Sequence, residues 1–150
     1  MNQDEAKRRD GVLRAYFEGR DWDAAGEFGL KRDFVMRSAE LLPDLPYLVD
    51  DEWEVIPGHA QGGRGDLVMT DGLGNFAAIE VKLIVGGTWG GSGSSRRRSR
   101  TKKRQKVRKQ AQEYAGVLTR RHPDAVDVRA YMWTNEAGLE QVELRDNGEG

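Results

Sequence analysis

The run Gly63–Ile84, GRGDLVMTDGLGNFAAIEVKLI, decides how this chain folds. Two stretches of strand-forming residues, DLVMT and FAAIEVKLIV, flank DGLGN, which is dense in turn formers. That pattern predicts a β-hairpin. With the turn centred on Leu73, residues equidistant from it pair, and Asp66 falls opposite Glu80. Directly opposed residues sit about 4.5–5.5 Å apart at Cβ, and two carboxylates there repel. A cation between them removes the conflict, and carboxylates with a backbone carbonyl and water are the donors Mg²⁺ prefers. Glu80 and Lys82 are two residues apart and share a sheet face. Lys82 is therefore placed to orient or help deprotonate an attacking water, or to stabilise developing negative charge. Ala77, Ile79, Val81 and Leu83 form the other, apolar face and are expected to be core. The plain alternative is an exposed Glu80–Lys82 ion pair on a half-solvated sheet.

Outward from the hairpin, Val12, Leu13, Tyr16 and Phe17 mark the apolar stripe of a helix reaching about Gly19. A second helix is predicted from Asp23 or Ala24 to Leu42, where Pro43 stops it. DEWEVIPG (51–58) reads as a short strand. After the hairpin, a flexible Gly/Ser/Arg-rich loop is expected over 86–100. A long helix then runs from about Thr101 to Arg121, with Val107, Ala111, Tyr114 and Leu118 on its core face. AVDVRAYMWT and LEQVELR are the last two strands, the second at an edge. The order gives one α/β domain over 1–150, with a mixed central sheet, a crossover helix and an N-terminal helical extension at 1–20.

Composition narrows the function. There is no cysteine and there are only two histidines, so thiolate and typical zinc sites are excluded. The opening MNQDEAKRRD is charged and no apolar run approaches a membrane span, so an intracellular protein is expected, cytoplasmic, or nuclear in a eukaryote, with no membrane partner. The net charge of -1 conceals a strong asymmetry. Arg96 to Gln110 holds ten of the 24 Lys and Arg and no acid, which leaves 14 basic against 25 acidic residues elsewhere. Arg96, Arg97, Arg98, Arg100, Lys102, Lys103, Arg104 and Lys106 are the candidate phosphate contacts. A solvated basic loop is the alternative. Trp89 is read either as a base-stacking residue or as a loop anchor.

Gly65-Asp66, a hairpin and then Glu80-Val81-Lys82 resemble the PD-(D/E)XK nuclease superfamily of restriction enzymes, junction resolvases and recombination exonucleases. The resemblance spans about Ala24 to Thr134 and departs at Gly65, where the motif has proline. It implies an αβββαβ restriction-endonuclease-like core and a Mg²⁺-dependent nuclease, with Mn²⁺ as a substitute metal. Asp66 and Glu80 would hold the metal with the Val81 carbonyl, and Lys82 would serve the water. The family often places a Glu on the helix before the sheet, for which Glu27 is the candidate and Glu40 the rival. Gln110 and Tyr114 match a QxxxY motif of one exonuclease-like branch, although Tyr114 also suits a core aromatic. The implied partner is nucleic acid, DNA foremost with RNA left open, and a homodimer is compatible. The rival reading is a catalytically inactive nucleic-acid-binding module on the same fold.

Overall fold

A computed structural model describes residues 1–23, 25–54, 64–84 and 93–144, with residues 53, 54, 64, 65 and 93–100 described by backbone alone. Helix α1 (Gln3–Gly19) is followed by a 3₁₀ turn (Asp21–Asp23) and helix α2 (Gly26–Leu41). Strands β1 (Tyr47–Glu54), β2 (Arg64–Thr70) and β3 (Asn75–Lys82) come next. Helix α3 (Gly93–Arg121) then leads to β4 (Asp127–Thr134) and β5 (Gly138–Val142). The strands form one mixed five-stranded sheet in chain order. β3 and β4 are parallel, joined across α3, and the other pairings are antiparallel. None of the helices is long and apolar enough to cross a membrane, among the described residues.

The hairpin takes the register expected of it. Leu67 pairs with Ile79, Val68 with Ala78, Met69 with Ala77 and Thr70 with Phe76. The turn is held by Asp71, whose Oδ1 accepts the Leu73 and Asn75 amides at 2.7 and 3.2 Å. Gly74 adopts φ 96°, a backbone state that side chains resist, and a Cβ there would meet Val126 Cγ2 at 2.9 Å.

Both sheet faces are covered. Phe34, Val35, Leu67, Met69, Ile79 and Val81 build the core on the α2 side. Val68, Phe76, Ala78, Val107, Ala111 and Leu118 build it on the α3 side. The face that carries Glu80 is thus core for most of its length, because α3 lies over Phe76 and Ala78, and it turns polar only at the strand's end.

Three further expectations are corrected. Val12 and Tyr16, expected on the apolar stripe of α1, are 71% and 45% exposed, whereas Phe17 of that stripe is buried, together with Ala6. β1 starts at Tyr47, four residues before the expected strand. α3 starts at Gly93, so Arg96, Arg97, Arg98 and Arg100 lie in the helix and not in a loop before it. Arginine is a strong helix former, and the cluster extends the helix N-terminally. Val55 to Pro57, the expected end of the first strand, and Trp89 lie outside the described residues.

Helix α2 is anchored to its sheet face through β4. Phe34 is fully buried, its ring 5.7 Å from that of Trp133, whose indole Nε1 donates to the Leu30 carbonyl at 2.8 Å. Phe34→Ala is expected to destabilise the fold by about 3–5 kcal/mol, the usual range for a buried aromatic cut to a methyl. Chemical denaturation with an unchanged m-value would measure it.

Candidate active site at the fork of β2 and β3

β2 and β3 part company at one end. Their ladder ends at the Leu67–Ile79 pair, while β2 continues along β1 as far as Arg64 opposite Glu54. Val81 would meet Gly65 if the ladder continued. Instead its amide donates to Asp66 Oδ2 at 2.7 Å. The amide and carbonyl of one strand residue point to the same side. The Val81 carbonyl therefore faces the fork, next to Asp66.

Glu80 closes the other side. It is 8% exposed, and its Oε2 is buried with no hydrogen-bond partner. Such an atom is costly to leave alone in a folded interior. The two carboxyl groups are within hydrogen-bonding reach of each other. Burial first, then the charge of Asp66, its hydrogen bond and the more distant Glu27, push the Glu80 carboxyl up to about 10. Asp66 is also raised by burial, against the Val81 amide and the Lys31 charge, which favour its ionised form. At neutral pH the pair holds one proton between two carboxylates.

Three helical residues face this fork. Glu27 Oε2 in the first turn of α2 lies 3.8 Å from Lys82 Nζ, with both side chains about half exposed. Tyr114 on α3 is buried, and its hydroxyl is pushed up to about 12 by burial, then by the charges of Glu80 and Asp66. Lys31, one helical turn after Glu27, is 6% exposed. Its Nζ lies 2.8 Å from Asp51 Oδ1, 3.6 Å from Glu52 Oε1 and 3.8 Å from Asp66 Oδ1. Burial opposes its charge, but the hydrogen bond and charge of Asp51, then Asp66 and Glu52, raise its pKa overall.

Asp51 and Glu52 are consecutive, and strand neighbours normally point to opposite faces. Glu52 has φ 50°, a left-handed conformation rare outside glycine that costs about 1–3 kcal/mol. That kink lets both acids address Lys31.

Asp66, Glu80, Lys82, Glu27 and Tyr114 are thus brought to one end of the sheet. Glu40 is not: it is at the far end of α2, 75% exposed, 3.9 Å from Arg37. Gln110 is half-buried on α3, one turn before Tyr114. Lys102 and Lys106 are exposed; Lys103 and Arg104 are half-buried, and Arg104 reaches Glu136 at 3.9 Å. Lys31, Asp51 and Glu52 escaped the sequence reading. Two signals were available: the four-residue spacing from Glu27 to Lys31, and three acids in a row, Asp50-Asp51-Glu52, in a strand.

Among the described residues, no group of three or more His, Cys, Asp or Glu is placed to hold a metal ion. A metal at the fork would rest on Asp66, Glu80, the Val81 carbonyl and water. The unpartnered Glu80 Oε2 and the fork-facing carbonyl fit that donor set, and the shared proton is what the ion would displace. No family model, curated protein or solved structure matches this chain.

The shared proton has a measurable sign. The Glu80 carboxyl is raised from an ordinary 4.5 to about 10, so above pH 4.5 the unfolded chain releases a proton that the folded chain keeps. Stability in chelator should be greatest at acid pH and fall as pH rises through that window, by at most about 1.4 kcal/mol per pH unit. Glu80→Gln should flatten the decline and melt no lower than the unmodified protein at pH 8. Melting curves from pH 5 to 9 read this directly, and an E80Q protein with an unaltered pH slope would place the titration elsewhere.

Proposed function

We propose that this protein is a Mg²⁺-dependent nuclease of the PD-(D/E)XK kind, hydrolysing phosphodiester bonds of DNA, with Mn²⁺ as an alternative metal. The observation that carries this reading is the pair Asp66 and Glu80, buried at the point where two strands separate, with one carboxylate oxygen unsatisfied. A pure binding module has no use for two opposed, buried acids. The order α2, β1, β2, β3, α3, β4, with β3 and β4 parallel, is compatible with the αβββαβ core of that superfamily.

In this reading Asp66, Glu80 and the Val81 carbonyl hold the metal ion. When bound, the ion acts as a Lewis acid on the scissile phosphate and lowers the pKa of its water. Lys82 shares the face of Glu80 and extends past it into solvent. Its ammonium is placed to orient the attacking water and to stabilise charge gathering on the phosphate oxygens. Glu27, 3.8 Å from Lys82 Nζ, is the acid that neighbours that ammonium. Tyr114 borders the carboxylates from the α3 side. Lys102 and Lys106, both exposed, neutralise backbone phosphates and carry no sequence readout.

Labelled DNA and RNA substrates, each with Mg²⁺, Mn²⁺ or chelator, test the activity. Asp66→Asn and Glu80→Gln should abolish metal-dependent cleavage. Lys82→Ala should keep metal and nucleic-acid binding and lose at least about 100-fold in turnover, the lower end for a positioned proton-transfer group. Near-normal turnover in K82A would remove Lys82 from the chemistry. A protein that binds nucleic acid and shows no site-specific Mg²⁺ or Mn²⁺ binding would be the inactive binding module instead.

The basic helix gives a separate expectation. Lys102→Ser with Lys106→Ser should weaken binding about equally across unrelated sequences and leave metal affinity nearly unchanged. The slope of log affinity against log salt should flatten by roughly 0.7–0.9 per lost phosphate contact. An unchanged slope would mean that these lysines are merely solvated.

A further inference from the structure

We propose that the aromatic stack between α1 and α2, which ends at Trp22, is a platform for unpaired nucleobases and, resting on the nuclease reading above, that the fork acts on single-stranded or frayed nucleic acid.

The stack begins in the core and ends in solvent. Phe17 is fully buried and stacks on Phe28, with ring centroids 5.6 Å apart and 18° between the planes. The Arg20 guanidinium lies over the Phe28 ring at 5.0 Å, and over the rings of Tyr16 and Trp22 at 5.3 and 5.4 Å. It donates to Asp23 Oδ2 at 2.6 Å and to the Tyr16 hydroxyl, which hold it in place. Three rings around one tethered cation leave the indole ordered before anything binds, which lowers the cost of using it. Yet Trp22, in the 3₁₀ turn, is 76% exposed, more than any other large apolar side chain among the described residues. An ordered, uncovered indole backed by a guanidinium is the surface on which a nucleobase stacks.

Position and charge select the occupant. Phe28 directly follows Glu27, whose carboxylate lies 3.8 Å from Lys82 Nζ, so the stack and the fork share the N-terminal end of α2. A strand whose phosphate lies at the fork therefore passes close to the indole. Glu18 and Asp21, both exposed, flank the rings, and they repel phosphate. The contact made here is accordingly with an uncharged ring, and the phosphates are left to α3. In a duplex the bases present only their edges in the grooves. Only a base outside the duplex stack can lie flat on Trp22.

Binding measured in chelator by fluorescence anisotropy tests this without any metal. The probes are a labelled single strand of mixed sequence, a blunt duplex, and a single strand of abasic sugar-phosphate. Trp22→Ala should weaken binding of the single strand by about 5- to 150-fold, the usual effect of removing one ring from a base stack. The slope of log affinity against log salt should stay unchanged, because no phosphate contact is lost. Trp22→Phe, which keeps a stacking face, should recover most of the loss. Affinity for the duplex and the abasic strand should be the same in all three proteins. Unaltered single-strand binding in W22A overturns the platform, and would leave the indole to a protein partner. An equal loss on duplex or abasic strand, or a flattened salt slope, overturns it as well. A protein that binds single strands through Trp22 but cleaves nothing with Mg²⁺ or Mn²⁺ keeps the platform and overturns the nuclease reading; one that binds no nucleic acid overturns both.

Discussion

The hydrogen bond from the Val81 amide to Asp66 Oδ2, 2.7 Å long, is the constraint on which this site depends. A strand that leaves its neighbour exposes backbone amides that must find another partner. The side chain of Asp66 supplies that partner, and β2 is free to follow β1 while β3 continues beside β4. The strands separate there without leaving the Val81 amide unpaired. Val81 itself is anchored: its side chain is buried in the α2-side core, so the amide that fixes Asp66 cannot drift. One short contact thus joins the packing of the core to the position of an acid.

The electrostatics follow from where that acid sits. Asp66 lies between a buried cation, Lys31, and a buried acid, Glu80. Lys31 stabilises its negative charge and Glu80 opposes it. The same carboxylate cannot satisfy both neighbours while all three are fully ionised, so the fork retains a proton. Glu27 adds further negative charge from α2, and its own counter-ion is Lys82. Two acids and two lysines therefore alternate around Glu80, with the lysines supplied by different elements. An arrangement of this kind is poised: small additions of positive charge release the proton instead of distorting the backbone.

Much of this was legible in the sequence where local rules govern. The turn chemistry of Asp71 to Asn75 sets the hairpin register, which holds from Thr70–Phe76 to Leu67–Ile79; Asp66 and Glu80 lie just past the last pair, where the strands separate. The core face of α3 could be read from spacing because Val107, Ala111, Tyr114 and Leu118 repeat at helical period. What could not be read depends on packing between distant segments. Val12 and Tyr16 look as apolar as Phe17, and only the line of contact with β1 decides which is buried. Lys31 looks like any helical lysine until Asp51 and Glu52 arrive from a strand some twenty residues later. The kink at Glu52 has no local sequence signal, since glutamate does not favour a positive φ.

The length of α3 connects the site to the charge asymmetry of the chain. α3 returns from the end of β3 to the start of β4, so its N-terminal half lies at the fork end; Arg104 beside Glu136, just past β4, and His122 stacked on Phe76 at the opposite end fix that direction. A helix of 29 residues is about 44 Å long, whereas the eight-residue strands it spans cover about 26 Å. The excess of about 18 Å, some three turns, must extend past the sheet, and because the core contacts of α3 begin at Val107, it extends on the fork side. Those turns hold Arg96, Arg97, Arg98 and Arg100, and the positive end of the helix dipole lies with them. Outside the basic run the chain holds 14 basic and 25 acidic residues, so its positive charge is concentrated in this one helix. The mismatch between a 29-residue helix and the eight-residue strands it spans therefore puts the N-terminal turns of the basic run beyond the sheet, at the end where Asp66 and Glu80 lie.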